Sequence, residues 1–237
     1  MTEIYRIAEK NIRIVSRHKS VHDLCRDYRF DGEPDFTVEA TEADMAFERK
    51  KMRQPCPDSY LETLAVYRRI AEIMPRWGTV LVHGSAVAVD GEAYLFTAPS
   101  GTGKSTHAAL WREVFGERAV MVNDDKPLLH ISEGGVLAYG TPWNGKHRLG
   151  ENIAVPLKAV CFLKQAPSNR IRPLPKPEAY APLMRQVYRP QDPAALAETM
   201  ELVGKLADSV GFFRLFCNME REAAEIAYRG MNGLEPD

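Results

Sequence analysis

The sequence predicts a mixed α/β fold with a small strand-rich segment at its N-terminus. Residues 94–97 form a strand pattern of bulky or β-branched residues, which a small-residue turn connects to a helical pattern ending near 115–116. Two further strand patterns, 78–83 and 86–91, come directly before this unit and are joined by tight turns. A simple alternation of strands and helices does not give three strands so close together, so we expect a mixed sheet.

The composition fits one large globular domain, or one domain with a smaller attachment. The chain has 237 residues, of which 45% are hydrophobic and 27% are charged. The net charge is −1, so neither nucleic acid nor a membrane surface is an expected partner. The first residues lack an apolar signal core, no apolar run reaches membrane-span length, and the four cysteines form no C-x-x-C pair. We therefore expect a cytoplasmic protein with reduced thiols.

The N-terminal segment, residues 1–57, is predicted to consist largely of strands. Its apolar and polar residues alternate at 4–8, at 12–16 and again at 36–41. A turn signal, Asp-Gly-Glu-Pro, separates the second and third patterns, and a Gln-Pro-Cys-Pro break at 54–57 ends the segment.

Two features of this segment have competing interpretations. His18 and His22 stand four residues apart, as two metal ligands on a helix would. Because no third ligand follows at a suitable spacing, an exposed pair is the favoured reading. The basic run at 48–53 indicates a solvated face or, alternatively, a substrate-docking patch.

The core is predicted to span residues 58–230, followed by a frayed tail at 231–237. Asp58 and Ser59 can cap a helix that ends before Pro75. After the central strand–turn–helix unit we expect a strand at 119–122, a hairpin of 128–131 and 136–139, a strand at 158–163, helices at 179–187 and 194–206, a strand at 211–217, and a last helix, capped by Asn218, at 220–228.

The central stretch, 93–106, carries the chemistry. It reads AYLFTAPSGTGKST, and a strand, a glycine-containing loop, Lys-Ser and a helix are the context of a phosphate-binding P-loop. Gly101 and Gly103 let successive N–H groups point into one hollow, and the helix that follows adds its own N–H groups and positive dipole end. Lys104 would reach the β- and γ-phosphates, and the Ser105 hydroxyl would hold Mg²⁺. The predicted nucleotide-binding residues are Pro99, Ser100, Gly101, Thr102, Gly103, Lys104, Ser105, Thr106 and Lys146.

One position departs from the G-x-x-x-x-G-K-[ST] pattern, because Ala98 stands where the first glycine is expected. If the loop needs a positive φ there, alanine costs about 1 kcal/mol. If the loop needs only a small side chain, alanine serves equally well.

Two adjacent carboxylates, Asp124 and Asp125, follow the strand after the P-loop helix. A magnesium-binding aspartate is expected at this place beyond a P-loop. Since neighbouring side chains of an extended chain point to different sides, one carboxylate can hold the metal while the other addresses an acceptor.

A histidine and a cationic loop complete the set of candidates. His83 precedes a glycine at the mouth of the predicted sheet, and a structural and a functional histidine are equally compatible with that place. The loop 140–148 ends in Lys146-His147-Arg148, which could clamp phosphates. Alternatively, it is a surface loop with Trp143 in the core.

Taken together, the motifs HGSAV, FTAPSGTGKST, NDDKP and GTPWNGK resemble those of the HPr kinase/phosphorylase catalytic domain. That family shares a nucleotide-binding core with the phosphoenolpyruvate carboxykinases, and the pattern is also similar to related kinases of peptide-modification gene clusters. The resemblance covers roughly residues 60–228. It implies a P-loop core with a mixed sheet, ATP and Mg²⁺ as cofactors, and a serine-type kinase activity.

The resemblance also implies roles for individual residues. Lys104 would bind the β- and γ-phosphates, and Ser105 and Asp125 would support Mg²⁺. Asp124 would be the base toward an acceptor hydroxyl, and His83 would position Asp124 or the phosphates. The roles of the two aspartates are exchangeable at this level, which makes both of them candidate metal ligands.

The implied reaction transfers the γ-phosphoryl group of ATP to a hydroxyl, favouring a serine of a protein or peptide acceptor. GTP and pyrophosphate remain alternative donors. The phosphorylase family's C-terminal signature for dephosphorylation is not found, and carboxykinase activity is not expected in so short a chain. Two other readings stay open: a nucleotide-binding regulatory or assembly protein with little turnover, and a small-molecule kinase. Because HPr kinases are hexamers, the resemblance also implies self-association.

Overall fold

The structure, a computed structural model, describes residues 1–234. Its helices are α1 (Lys19–Cys25), α2 (Glu42–Lys51), α3 (Asp58–Ile73), α4 (Lys104–Phe115), α5 (Lys176–Met184), α6 (Pro193–Ser209) and α7 (Glu222–Met231). Its strands are β1 (Thr2–Ile7), β2 (Lys10–Val15), β3 (Phe36–Glu39), β4 (Thr79–Leu81), β5 (Ser85–Val89), β6 (Glu92–Thr97), β7 (Ala119–Asn123), β8 (Leu128–Ser132), β9 (Gly135–Tyr139), β10 (Ala154–Gln165), β11 (Arg170–Pro173) and β12 (Gly211–Cys217). None of the helices in this described part is long and apolar enough to cross a bilayer.

Strand β10 joins the two halves of one curled, mixed sheet. Its first residues, 154–156, pair antiparallel with β9 and continue the half that also holds β4 and β8. Residues 159–162 of the same strand lie parallel between β6 and β12, in the half that also holds β5, β7 and β11. A register shift between Leu157 and Ala159 marks the change of partners. The mixed α/β fold expected from the sequence is confirmed.

Strand β6 is buried on both faces because helices cover both sides of its half of the sheet. Tyr94 and Phe96 point to the face covered by α4 and α7, where both rings pack on Trp111. Ala93 and Leu95 belong to the core on the opposite face, together with residues of α5 and α6. This two-sided packing holds the end of β6 rigidly at the point where the loop to α4 begins.

The N-terminal strands form a small sheet of their own that packs on α3. Strands β1 and β2 are antiparallel, and β3 lies parallel to β2 at one edge. Ile12 and Ile14 share a core with Leu61 and Ile70 of α3, and this core continues to Trp143 in the loop after β9. The division of the chain at residue 57 stays a prediction.

Residues 1–57 contain two helices, α1 and α2, that the strand-rich prediction did not include. Helix α2 begins with a capping box, in which the Thr41 hydroxyl accepts from the Asp44 N–H (3.2 Å) and the Asp44 carboxylate accepts from the Thr41 N–H (2.9 Å). The T-x-x-D spacing in the sequence is the signal that could have revealed this helix. The basic run at 48–53 begins in its last turn, where cations complement the helix dipole.

The first turn of α3 corrects a predicted cap. Pro57 precedes the helix, and neither Asp58 nor Ser59 caps its N-terminus with a side-chain hydrogen bond. The Asp58 carboxylate instead pairs with the Arg49 guanidinium at 2.6 Å. The helix itself ends at Ile73, before Pro75 as expected.

The C-terminal part follows the predicted order, with a shifted last helix. Helix α7 begins at Glu222, two residues after the predicted start. Asn218 accepts a hydrogen bond from the Glu220 N–H (3.0 Å) ahead of the helix. Of the tail predicted at 231–237, residues 235–237 lie outside the described residues.

Candidate functional site

The loop between β6 and α4 has the backbone shape that its two glycines allow. Gly101 and Gly103 adopt positive φ angles of 82° and 107°. Ala98 has no positive φ and is buried, with 4% of its surface exposed. The loop therefore needs only a small side chain at Ala98, and alanine in place of the first glycine carries no backbone strain.

Lys104 is the first residue of α4, and its ammonium group turns back over the loop. Its Nζ donates to the Ala98 carbonyl at 3.0 Å and lies 3.5 Å from the Pro99 carbonyl. Burial lowers the pKa of Lys104, and the charges of Asp125 and Asp124 partly offset that effect. Within the described residues no side chain caps this helix end, and Ser105 and Thr106 are exposed beside it. The helix N-terminus can therefore donate to an anion.

Asn123, at the end of β7, shapes the turn that carries the two carboxylates. Its Oδ1 accepts from the backbone N–H groups of Asp125 (2.9 Å) and Lys126 (2.7 Å). Its Nδ2 donates to the Thr141 hydroxyl at 2.9 Å, so the same buried side chain also holds the loop that follows β9. Asn123 was not among the predicted site residues, although an asparagine directly before a turn is a readable signal.

The two carboxylates have different surroundings. Asp124 is buried, and its Oδ1 accepts a hydrogen bond from the Ser85 hydroxyl at 2.8 Å. Asp125 is half-buried, with the Lys126 ammonium 3.3 Å from its Oδ2 and the His83 Nε2 3.7 Å from its Oδ1. Ser85 therefore orients Asp124, whereas Asp125 lies between the Lys126 ammonium and the His83 ring. Ser85 lies in the HGSAV motif, but no role was predicted for it, because its contact with Asp124 spans 39 residues.

The His83 ring is fixed between Gln186 and Asp125. Its Nδ1 lies 3.2 Å from the Gln186 Oε1. With that oxygen as acceptor, Nδ1 donates and Nε2 is left facing Asp125. Burial and the nearby Lys104 charge lower the pKa of His83, while Asp125 acts in the opposite direction. The ring is accordingly neutral at pH 7. Gln186, which follows α5, was not predicted.

The loop 140–148 has a buried part and an exposed part. Trp143 is buried and stacks on Tyr67 of α3, with ring centroids 4.1 Å apart. Its Nε1 donates to the Thr63 carbonyl at 2.9 Å, and the Tyr67 hydroxyl donates to the Lys126 carbonyl at 2.6 Å. Trp143 is thus part of the core, whereas the cationic end of the loop, 146–148, is exposed and faces the cavity described next.

A cavity of about 810 Å³ brings most of the predicted residues together. Those that line it are His83, Ser100, Gly101, Gly103, Lys104, Ser105, Thr106, Asp124, Asp125 and Lys146. Among the described residues, Pro99 and Thr102 do not line it, and the Thr102 carbonyl accepts from the Gln165 side chain at 3.3 Å. The cavity also reaches residues that the sequence analysis missed on α1 and α3: Ser20, Leu24, Ser59, Tyr60, Thr63 and Leu64.

The residues present fit a magnesium ion that is shared with a phosphate. Within residues 1–234, no group of three or more histidine, cysteine or acidic side chains could hold a metal. Asp124, Asp125 and Ser105 nevertheless line one cavity. Mg²⁺ is commonly bound by one or two carboxylates together with substrate phosphates, and such a donor set matches that chemistry.

His18 and His22 do not form an exposed pair. His18 Nδ1 lies 2.9 Å from a Glu62 carboxylate oxygen. His22 is buried, and its Nδ1 lies 2.7 Å from the Tyr5 hydroxyl. The two rings serve separate contacts within the N-terminal segment.

The fold and the site define a mixed α/β protein in which a glycine-containing strand–loop–helix unit faces a pair of carboxylates across one cavity. The sequence profile of the family described as SynChlorMet cassette protein ScmC matches residues 58–192, more than half of the chain. The chain belongs to the ScmC family. The motifs predicted the HPr kinase/phosphorylase family, whereas the family profile that matches this chain is that of ScmC.

The other comparisons add little. A solved structure, the Hpr(Ser) kinase/phosphatase from Coxiella burnetii, is similar over 53% of this chain and 90% of that chain, at 12% identity and a TM-score of 0.30. At that level the likeness carries no argument about activity. No curated protein matches the chain.

Proposed function

We propose that this protein is an ATP- and Mg²⁺-dependent phosphotransferase that moves the γ-phosphoryl group to a hydroxyl of a protein or peptide acceptor. One observation carries the proposal: Lys104, at the opening of α4, lines the same cavity as Asp124 and Asp125. A lysine at a helix N-terminus opposite acidic groups is the arrangement that phosphoryl transfer uses to neutralise charge and position the reactants.

The loop supplies the phosphate side of the proposed site. The Lys104 ammonium now bonds to the carbonyls of Ala98 and Pro99, and it would exchange these for β- and γ-phosphate oxygens. The uncapped N–H groups of the first turn of α4 would add donors and a positive dipole end. When bound, Mg²⁺ would neutralise phosphate charge, and Ser105 and Asp125 are the residues assigned to hold it.

The two carboxylates, Asp124 and Asp125, are assigned different roles. Asp124 is assigned as the base, which takes the proton of the acceptor hydroxyl as its oxygen bonds to the γ-phosphorus. The Ser85 hydroxyl fixes one oxygen of Asp124, so the other oxygen is the one available to the acceptor. With Nδ1 of the neutral His83 ring donating to Gln186, its Nε2 lies beside Asp125 as an acceptor, where it can accept a hydrogen bond from a bound hydroxyl or water.

The first test is isothermal titration of the protein with ATP, with and without Mg²⁺. We expect Mg²⁺-dependent binding that Lys104→Ala weakens by about 100-fold, because a charge partner of the phosphates is lost. Lys205→Ala, an exposed lysine of α6 paired with Glu201, is the matched control and should bind as the wild type does. Absence of ATP binding by the wild type refutes the proposal. Replacing ATP by GTP or pyrophosphate in the same titration identifies the donor.

Asp124→Asn and Asp125→Asn separate binding from chemistry. Loss of the base should abolish phosphoryl transfer and leave ATP affinity within about twofold, whereas loss of a metal ligand should weaken the Mg²⁺-dependent part of binding. If the two variants behave the other way round, the roles are exchanged. Tight ATP binding without transfer to any hydroxyl would instead indicate a nucleotide-binding regulatory protein.

A further inference from the structure

One wall of the cavity is formed by the N-terminal helices rather than by the loops around the phosphate side. This wall, called here the α1–α3 wall, consists of Ser20, Leu24, Ser59, Tyr60, Thr63 and Leu64. All six side chains are uncharged. Two of them are leucines that are half-buried, so the wall offers apolar surface together with hydroxyl groups.

Two of the four hydroxyl groups of this wall, those of Ser20 and Thr63, are committed as donors. The Ser20 hydroxyl donates to the Ser59 carbonyl at 3.1 Å, and the Thr63 hydroxyl donates to the Tyr60 carbonyl at 2.7 Å. Each hydroxyl has one hydrogen to give and two lone pairs. Toward a ligand, Ser20 and Thr63 are therefore hydrogen-bond acceptors, and they fit a group that carries N–H donors.

Helix α3, which carries four of the six wall residues, is bonded to the turn that holds the acidic pair. Helix α3 contacts the acidic turn through the Tyr67 hydroxyl and the Lys126 carbonyl, and it contacts the loop after β9 through Thr63 and Trp143. Helix α4 packs instead on α7 and on strands β5 and β7. In-line transfer requires the attacking oxygen opposite the leaving oxygen, so an acceptor approaches from the side of the acidic pair.

The charged residues that line the cavity belong to segments other than the α1–α3 wall. Among the described lining residues, the cations Lys104, Lys126, Lys146 and Arg148 outnumber the carboxylates Asp124 and Asp125, which leaves +2 with the histidines neutral. This excess suits the negative charge of a nucleotide bound with Mg²⁺. A charged group placed against the α1–α3 wall would lose hydration without gaining a partner.

We propose, on the basis of the proposed function, that the α1–α3 wall is the acceptor subsite. It binds an uncharged segment whose hydroxyl lies beside a backbone N–H and an apolar side chain, as in a peptide with serine next to leucine. The hydroxyl oxygen forms the new bond to the γ-phosphorus while the bond to the β–γ bridging oxygen breaks. The hydroxyl proton goes to Asp124, and the nucleoside diphosphate leaves.

The test measures binding of two blocked dipeptide probes, N-acetyl-Ser-Leu-amide and N-acetyl-Ser-Asp-amide, to the full chain with Mg²⁺ and a non-hydrolysable ATP analogue. We expect the wild type to bind the leucine probe about tenfold more tightly, the size of effect that one apolar contact gives in a pocket. Leu64→Lys should reverse this preference by placing a cation in the wall. Met200→Lys, a change of an exposed apolar residue of α6 outside the cavity, should leave the preference unchanged.

Each outcome decides the proposal. Failure of the wild type to bind the leucine probe, or an unchanged preference in Leu64→Lys, overturns it while ATP binding still supports the proposed function. A more than tenfold change in ATP-analogue affinity in Leu64→Lys without a change in probe preference assigns the wall to the nucleoside instead.

If Leu64→Lys does not fold, Thr63→Val removes a hydrogen-bond acceptor at nearly constant volume. That variant should weaken binding of the leucine probe and leave ATP-analogue affinity unchanged, and unaltered probe binding would count against the proposal.

Discussion

Because of the buried His107 side chain, we expect the free energy of unfolding to decrease in acid. His107 lies in α4, one turn after Lys104, and its Nε2 accepts a hydrogen bond from the Trp111 indole N–H at 3.0 Å. Among the described residues its Nδ1 has no partner. Burial lowers the pKa of His107 to about 4, from an ordinary 6.5. Protonation would place a charge in a closed apolar pocket. The added proton would also lie on Nε2, which already accepts from the indole N–H, so the ring stays neutral.

The magnitude follows from proton linkage. Above pH 6.5 the ring is neutral in both the folded and the unfolded chain, so it contributes no pH dependence. As the pH falls from 6.5 toward 4, only the unfolded chain takes up the proton, and the free energy of unfolding decreases. The loss attributable to His107 is about 2 kcal/mol at pH 5 and about 3 kcal/mol at pH 4, below which it levels off.

The assay is urea denaturation followed by far-ultraviolet circular dichroism at pH 7.5, 6, 5 and 4.5. His107→Gln is the comparison, since glutamine has a similar volume, can accept from the Trp111 indole and does not titrate. The wild type should lose about 2 kcal/mol more than this variant between pH 7.5 and pH 5. All other titrating groups are common to both proteins and cancel in the difference. Parallel pH dependences would refute the assignment of a buried, neutral His107.

Two further predictions concern the frame of the site. Gly140→Ala should destabilise the protein by about 3 kcal/mol in chemical denaturation, because a Cβ there would overlap the Glu151 carbonyl oxygen. The control is Gly204→Ala, inside α6, where no described atom lies within 4 Å of the new Cβ. It should stabilise the protein by about 0.5–1 kcal/mol, and equal changes in unfolding free energy for the two variants would contradict the argument. Ser85→Ala should lower the proposed phosphoryl transfer about tenfold by releasing the Asp124 carboxylate, while leaving the proposed ATP binding unchanged in titration. A proportional loss of ATP affinity would show that the hydroxyl acts on nucleotide binding instead.

The parts of the fold that the sequence predicted well are those determined by nearby residues. The bulky run of β6, the glycines at 101 and 103 and the helical pattern after them are all local signals, and the strand–loop–helix unit follows them. The hairpin of β8 and β9 is likewise given by two strand patterns around a glycine pair. Helix α2 was missed although its Thr41–Asp44 capping box is equally local, so that omission was avoidable.

The supporting residues of the site could not be read from the sequence in the same way. Gln186 reaches His83 across 103 positions, and Ser85 reaches Asp124 across 39. Both contacts depend on which strands and loops become neighbours in the curled sheet, and no spacing rule encodes that choice. A motif names the groups that contact a ligand, whereas the groups that orient them become visible only when the tertiary structure is known.

Helix α3 links the N-terminal segment to the candidate site through side-chain contacts on both. Its buried Glu62 accepts from the backbone N–H groups of Arg17 (2.8 Å) and His18 (2.9 Å), at the start of α1. Its buried Arg68 bonds to carboxylates of α2 and of its own next turn. Charged groups this deep are stable only when they are paired, so the two side chains fix α1 and α2 against α3. Tyr67 of the same helix donates to the Lys126 carbonyl in the acidic turn and stacks on Trp143. Helix α3 therefore connects the N-terminal segment to the turn that carries Asp124 and Asp125. These contacts hold the uncharged α1–α3 wall at a constant position relative to the two carboxylates.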